Sequence, residues 1–286
     1  MRLGYLGPAG TFTEEAATPA ARAAGAELVP YATVAAAASA VFGGEVDAAL
    51  LPIENSLEGS VTATIDALTA QPGLRMVGEA ALAIEQCLIA RVPVALAEID
   101  TVASHPQALA QSSRFLRERL PGARLVAISS TAEAVRSLAD APAGTAAIAG
   151  RGAVARHGGV IIEAGIEDEP GNTTRFAWVA PAGAAPFPAP GDGAVFRTSI
   201  LFSGAGDASP GWLVACLSEL SERAVNLVKI ESRPARSRLG HYLFLADCEG
   251  AEDDAAVAAA LEGLRARCDH VRVLGSYAAA PRTPVF

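Results

Sequence analysis

Along residues 1–181, short apolar runs bounded by glycine, proline or asparagine alternate with longer stretches whose apolar residues return every three or four positions. The first pattern fits strands and the second fits amphipathic helices. Leu3–Gly7 reads as a strand, followed by a helix over Thr13–Ala24 opened by a Thr11-x-x-Glu14 capping box. Glu27–Tyr31 is then a strand, Val34–Phe42 a helix and Asp47–Glu54 a strand of buried-type residues, with a helix from about Gly59 to Ala70. Leu74–Glu79 and Ala83–Arg91 read as extended, and the strand Thr101–Ser104 runs into a helix with Pro106 at its first position. Strand Leu125–Ser129, helix Thr131–Asp140 capped by Ser130-x-x-Glu133, strand Thr145–Ala149 and a short helix to His157 continue the alternation. Such an order predicts largely parallel sheets covered by helices.

Residues 182–196 are rich in glycine and proline and read as a linker. Beyond them the order changes: strand Thr198–Ser203, helix Gly211–Arg223, strands Asn226–Ser232 and His241–Asp247, helix Asp253–Arg267 and strand Val271–Tyr277. That is a βαββαβ unit of ferredoxin-like type. The helix at 253–267 carries acids first and arginines last, as its dipole prefers.

A chain of 286 residues with 51% hydrophobic content has room for about two cored domains. No apolar run approaches the roughly 20 residues needed to span a bilayer, and the sequence enters a strand at once, so a cytoplasmic protein is expected. A net charge of −9 without a basic run argues against nucleic acid and anionic membranes. Lys229 is the only lysine, so the region before it holds neither a Schiff base nor a P-loop. Cys87, Cys216, Cys248 and Cys268 lack framework or ligand spacing and read as buried thiols.

Four polar clusters follow strands or come off turns: Gly7–Phe12, Pro52–Gly59, Ser104–Gln107 and Pro170–Val179. Strand ends facing a crevice are where open α/β sheets bind ligands, and helix starts offer N–H groups to anions. Singly, each cluster also reads structurally: Thr11 and Ser104 as caps, Asn55 and Ser56 as a turn, His105 as a surface or cap residue, Asn172 as an Asx turn with Arg175 toward water. Together they suggest a site. There is no H-E-x-x-H, no paired-cysteine zinc spacing and no G-x-G-x-x-G, so the expected toolkit is hydroxyls, amides, a carboxylate and an arginine, with neither metal nor redox cofactor.

Gly-Pro-Ala-Gly-Thr-Phe-Thr (7–13), Pro-Ile-Glu-Asn-Ser-Leu-Glu-Gly-Ser-Val (52–61), Ser-His-Pro-Gln-Ala-Leu-Ala-Gln (104–111) and Asn-Thr-Thr-Arg-Phe (172–176) resemble the signatures of the prephenate dehydratase family, in the right order over essentially the whole chain. The resemblance implies an α/β fold: a catalytic domain over 1–181 made of two subdomains arranged as in type 2 periplasmic binding proteins, with crossovers near 75–80 and 160–170. It also implies a linker over 182–196 and an ACT regulatory domain over 197–286. The implied activity is that of a cofactor-free carbon–oxygen lyase, the decarboxylating dehydration of prephenate to phenylpyruvate in phenylalanine biosynthesis.

By the same resemblance, Thr174 stands at the family's essential threonine, with Glu54, Asn55, Ser104 and Gln111 as further catalytic candidates. Glu54 is an alternative proton source. Substrate binding falls to Thr11, Ser56, Gly59, His105, Gln107, Asn172, Thr173, Arg175 and Phe176, with Arg175 the candidate clamp for a carboxylate. Regulatory phenylalanine would bind at Gly211, Trp212, Leu213, Val214 and at Glu231, Ser232, Arg233, Pro234. Trp212 stands where the family usually carries a small residue, which puts control in more doubt than catalysis. A homodimer or homotetramer through the ACT domains is implied. Arogenate dehydratase and a non-catalytic two-lobed anion binder are the competing readings.

Overall fold

The computed structural model describes residues 1–204, 209–235 and 241–280; the end of the expected 197–286 domain lies outside them. The chain divides into two compact units, one of residues 1–70 and 80–177, the other of 71–79 and 178–280.

The first unit holds two lobes. In the first, β1 (Arg2–Leu6), α1 (Phe12–Ala24), β2 (Glu27–Tyr31), α2 (Val34–Phe42) and β3 (Ala48–Asn55) wind as the sequence pattern predicts, with β1 parallel to both β2 and β3. Ala48–Leu51 is buried throughout, as befits a strand covered on both faces. The Thr11 hydroxyl accepts from Glu14 N at 3.4 Å, but the Glu14 carboxylate returns to Gly10 N (2.5 Å), one residue before a capping-box partner. The helix expected from Gly59 starts later. Gly59 takes φ +80° and forms, with Ser60, a short strand β4 that folds back on β3, and α3 runs from Thr62 to Ala70.

After β5 (Leu74–Ala83) the chain crosses to the second lobe: β6 (Cys87–Ala90), β7 (Thr101–Ser104), α4 (Pro106–Gln111), α5 (Ser113–Arg119), β8 (Arg124–Ala127), α6 (Thr131–Ser137), β9 (Thr145–Ala149), α7 (Arg151–His157) and β10 (Val160–Ala164). Its sheet runs β10-β6-β9-β7-β8. β7 is parallel to β8 and β9, whereas β6 and β10 join antiparallel, so the sheet is mixed rather than largely parallel. The extended reading of 83–91 shrinks to Cys87–Ala90, because residues 84–86 are the crossing itself. β10 was not expected as a strand. The chain returns through 165–172 into β11 (Thr173–Pro181), and the two crossings are tied by Ile84 N to Asn172 O (2.7 Å), Ile166 N to Gln86 O (3.1 Å) and Gln86 N to Glu167 Oε2 (2.9 Å).

In the second unit, β12 (Phe196–Ser203), α8 (Trp212–Ser221), β13 (Leu227–Pro234), β14 (Tyr242–Glu249), α9 (Ala255–Arg267) and β15 (His270–Ala278) give the expected βαββαβ order. The sheet order β13-β14-β12-β15, with each of these pairs antiparallel, is ferredoxin-like. Residues 182–196 are not a free linker. Phe187 N donates to Val77 O (3.0 Å) and its ring meets Trp178 edge-on at 4.8 Å, so this segment and residues 71–79 pack with the module. Trp212 packs inward against Phe202 and Phe244, its indole N–H donating to Arg267 O at 3.0 Å.

All four cysteines are free. Burial pushes the Cys87 and Cys248 thiols up to about 11 and that of Cys268 to about 12, so they behave as packing groups.

Candidate active site

A cavity of about 580 Å³ lies in the first unit. Its walls come from the start of α1 (Thr11, Phe12, Thr13), the β3–β4–α3 segment, the start of α4, the loop entering α6 and the start of β11. Of the candidate residues, Thr11, Asn55, Gly59, His105, Gln107, Gln111, Asn172, Thr174 and Phe176 line it. The starts of α1 and α3 contribute first-turn N–H groups that helix geometry leaves without intrahelical partners. Among the described lining residues there is no arginine or lysine, and Glu58 is the one carboxylate.

Asn55 organises the centre. Its Oδ1 accepts from the backbone N–H of Leu57 (3.0 Å) and Glu58 (3.1 Å), which assigns the amide nitrogen to the other side. That Nδ2 donates to Asn172 Oδ1 at 2.7 Å and to Thr174 Oγ1 at 3.0 Å. Both hydrogens and both lone-pair directions of the amide are thereby used. Thr174 Oγ1 is an acceptor in this contact, so its own hydrogen is available to be donated elsewhere. Asn172, 3% exposed, is held in place by accepting also from the Ser56 hydroxyl (3.4 Å). The 56–57 turn is pinned to β11 by Ser56 N to Thr173 O (2.9 Å) and Thr173 N to Ser56 Oγ (3.0 Å).

Around the rim, His105 Nδ1 accepts from Gln107 N at 3.2 Å, which leaves the ring proton on Nε2. Gln111 donates from Nε2 to Glu58 Oε1 at 3.1 Å. Its main chain is held where α4 breaks at Ser112, with Asp168 N donating to Gln111 O (2.6 Å) and the Asp168 carboxylate accepting from Arg114 N (2.9 Å) at the start of α5.

Five candidates do not reach the cavity wall. Ser104 is fully buried and donates to Ile148 O at 2.6 Å, a cross-strand tie inside the second lobe. Ser56 and Thr173 hold the turn. Arg175 and Glu54 face each other instead, with both Nε and Nη2 of the guanidinium 2.9 Å from Glu54 Oε2. The reason is the pleat: Thr174 and Phe176 line the cavity, so Arg175 between them projects from the opposite face of β11. The expected clamp is therefore an ion pair behind the site. Arg175→Met should leave KM within about twofold while lowering stability by about 1–3 kcal/mol, the smaller end reflecting partial solvent exposure of the pair. Thermal melts and steady-state kinetics check this; a severalfold rise in KM would put the guanidinium on the substrate.

Sequence reasoning missed Glu58, Gln86, Ser129 and Thr131 as wall residues. Gln86 sits in an apolar stretch without a motif. Ser129 and Thr131 flank a recognised cap, and helix-cap chemistry near a strand end was the one signal pointing to them.

The arrangement offers neutral donors around an open cavity, with one hydroxyl oriented by a saturated amide. Among the described residues, no group of three or more His, Cys, Asp or Glu is placed to hold a metal ion, and no helix is long and apolar enough to cross a membrane. The model of the prephenate dehydratase family matches residues 3–183. The chain belongs to the prephenate dehydratase family. Prephenate dehydratase of Amycolatopsis methanolica is 41% identical over 280 residues, covering 98% of this chain and 89% of that protein. Among solved structures, prephenate dehydratase from Arthrobacter aurescens in complex with L-Phe superposes with a TM-score of 0.88 at 40% identity, covering 100% of this chain and 92% of that one. GqqA, described as a novel type of quorum quenching acylase, has a TM-score of 0.85 at 30% identity, covering 98% and 99%. Family membership makes the protein a carbon–oxygen lyase acting in phenylalanine biosynthesis.

Proposed function

We propose that the cavity carries out the decarboxylating dehydration of prephenate to phenylpyruvate with Thr174 as the donor to the departing oxygen. The observation that carries this reading is the contact from Asn55 Nδ2 to Thr174 Oγ1 at 3.0 Å, which commits the threonine oxygen as acceptor and its hydrogen to the cavity. When the ring carboxylate leaves as CO2, the electron pair of its C–C bond enters the ring and expels the hydroxyl. Aromatisation drives the step, so no electron sink is needed. The departing oxygen gains negative charge and leaves as hydroxide, which is neutralised by a proton from bulk solvent. A threonine hydroxyl is a weak acid, so its part is a preorganised hydrogen bond to that developing charge. Glu54, engaged by Arg175 and off the wall, is poorly sited to be the proton source.

The substrate is a dianion, and no cation lines the wall among the described residues. Its carboxylates are held by the N–H groups at the starts of α1 and α3, by the Thr131 hydroxyl, and by His105 Nε2–H and Gln107; the Thr11 hydroxyl donates to Leu6 O and caps α1 instead. Neutral donors grip an anion without the desolvation cost of burying a cation beside it.

The C-terminal βαββαβ module acts as an ACT regulatory domain for phenylalanine. The Arthrobacter aurescens relative was solved with L-Phe, and Gly211 adopts φ +84° at the start of α8, a conformation that favours glycine, with open space where a side chain would stand. Trp212 is spent on the module's own core, so it does not block that approach from the solvent side. Residues Leu213 and Val214 and the strand Glu231–Pro234 complete the effector surface, and pairing of modules from a second or further copies gives a homodimer or homotetramer. The cytoplasm is the compartment this reading assigns. Titration calorimetry on the full chain should give a binding heat with L-Phe that weakens about tenfold or more in Glu231→Ala; no heat with the wild-type protein would make the module purely structural.

Turnover decides the main reading. Purified protein mixed with prephenate should generate phenylpyruvate absorbance, and arogenate should turn over more slowly. Faster turnover of arogenate would reassign the substrate; no product from either would leave an anion-binding protein.

A further inference from the structure

Two threonines stand two residues apart at the start of α1, and their hydroxyls have different fates. Thr11 Oγ1 accepts from Glu14 N (3.4 Å) and donates to Leu6 O (3.2 Å), so the cap uses it up. Thr13 lines the cavity at 6% exposure, and its Oγ1 has no hydrogen-bond partner among the described residues. That oxygen is not one of the interior polar atoms sealed from solvent, so the small surface it keeps opens on the cavity. A nearly buried residue that turns an unused hydroxyl into a binding cavity is explained by a partner that the ligand brings.

The backbone beside it is unused as well. Glu15 N makes the first backbone bond of the helix, to Thr11 O (3.1 Å), and Glu14 N is taken by the Thr11 cap. Phe12 N and Thr13 N come before them and have no partner among the described residues. The helix runs for 13 residues, so its dipole adds to these donors. Glu14, in the same turn, does not line the cavity, because its carboxylate is turned back onto Gly10 N (2.5 Å). Two successive residues of the wall thus offer a hydroxyl and two N–H groups, a donor set suited to a carboxylate.

We propose that Thr13, with its own N–H and that of Phe12, holds the carboxylate of the substrate's pyruvyl arm, the one that survives into the product. This rests on the dehydratase reading above. The two carboxylates of prephenate differ in what the reaction does to them. The ring carboxylate gives up its charge as CO2 forms, so strong donors fixed on it would be relinquished at the barrier and would oppose the step. The arm carboxylate keeps its charge from substrate through transition state to product. A strong grip there anchors the substrate without raising the barrier, and its whole effect falls on binding.

Thr13→Val keeps the shape of the side chain and removes the hydroxyl. It should raise the KM for prephenate and the Kd of phenylpyruvate, read by calorimetry, by the same factor of about 10- to 100-fold, the loss typical of a hydrogen bond to a charged group, with kcat within about twofold. Thr13→Ser, which restores the hydroxyl, should bring both constants back to within about threefold. Should Thr13→Val fail to fold, Thr13→Ala carries the same test on a residue that helices favour. An altered kcat with the product Kd unmoved would place the hydroxyl on the leaving carboxylate and overturn the proposal. Unchanged KM and product Kd would overturn it too, as would a loss that Thr13→Ser does not recover, which is what a merely structural role gives. Wild-type protein that does not turn over prephenate at all removes the dehydratase reading and this inference with it, a failure distinct from a wild-type enzyme indifferent to Thr13→Val.

Discussion

Thr174→Val lowers kcat on prephenate by about 10²- to 10³-fold and leaves KM within about twofold, the loss typical of a single donor to developing charge. The substitution exchanges a hydroxyl for a methyl of the same shape on a strand that favours β-branched residues, so β11 is retained. What disappears is a hydrogen bond made chiefly in the transition state, which is why the effect falls on kcat. Steady-state appearance of phenylpyruvate is the readout. Turnover at the wild-type rate would remove Thr174 from the chemistry.

Asn55→Asp is expected to cost nearly as much by a different route. The aspartate still accepts from Leu57 N and Glu58 N, so the turn persists. Its other oxygen, however, now faces Thr174 Oγ1 as an acceptor. The threonine hydrogen turns to it and is withdrawn from the cavity. We expect a fall in kcat of about 10²-fold, with a severalfold rise in KM from the added negative charge beside an anionic substrate. Kinetics on the purified variant, with a melting curve to show that it folds, checks both. A kcat close to wild type would mean that the threonine does not depend on its amide neighbour for orientation.

Much of this was legible in the chain. α1 and α6 follow from hydroxyl caps set three residues before Glu14 and Glu133, and the structure has those caps at 3.4 and 3.1 Å. The βαββαβ order after residue 196 follows from apolar spacing and breakers alone. Elsewhere the local signal misled. The family resemblance implies a crossover near 160–170, yet Val160–Ala164 adds to the sheet edge beside β6, a long-range pairing that no local pattern announces. The helix after Pro106 carries no glycine or proline near Ser112, and the break there comes from Asp168, distant in sequence, capping α5.

The site was legible as a set of segments and less so as a set of side chains. Thr174 and Arg175 are adjacent in the motif and both read as substrate residues, although strand alternation turns neighbours to opposite faces. Ser104 precedes a helix and resembles a cap, but it is the last residue of a buried strand and its hydroxyl is bonded across the sheet. Gln86 and Glu58 take their places at the wall only with spatial neighbours far along the chain, Gln111 and the crossover at 166–168.

A double-mutant cycle on kcat tests the central claim most directly. If Asn55 acts by turning the Thr174 hydroxyl into the cavity, Thr174→Val combined with Asn55→Asp should be no slower than the worse single variant by more than about threefold, because the second change removes what the first has already lost. Losses that multiply, to about 10⁴-fold or beyond, would mean that the two residues act independently and would contradict the account.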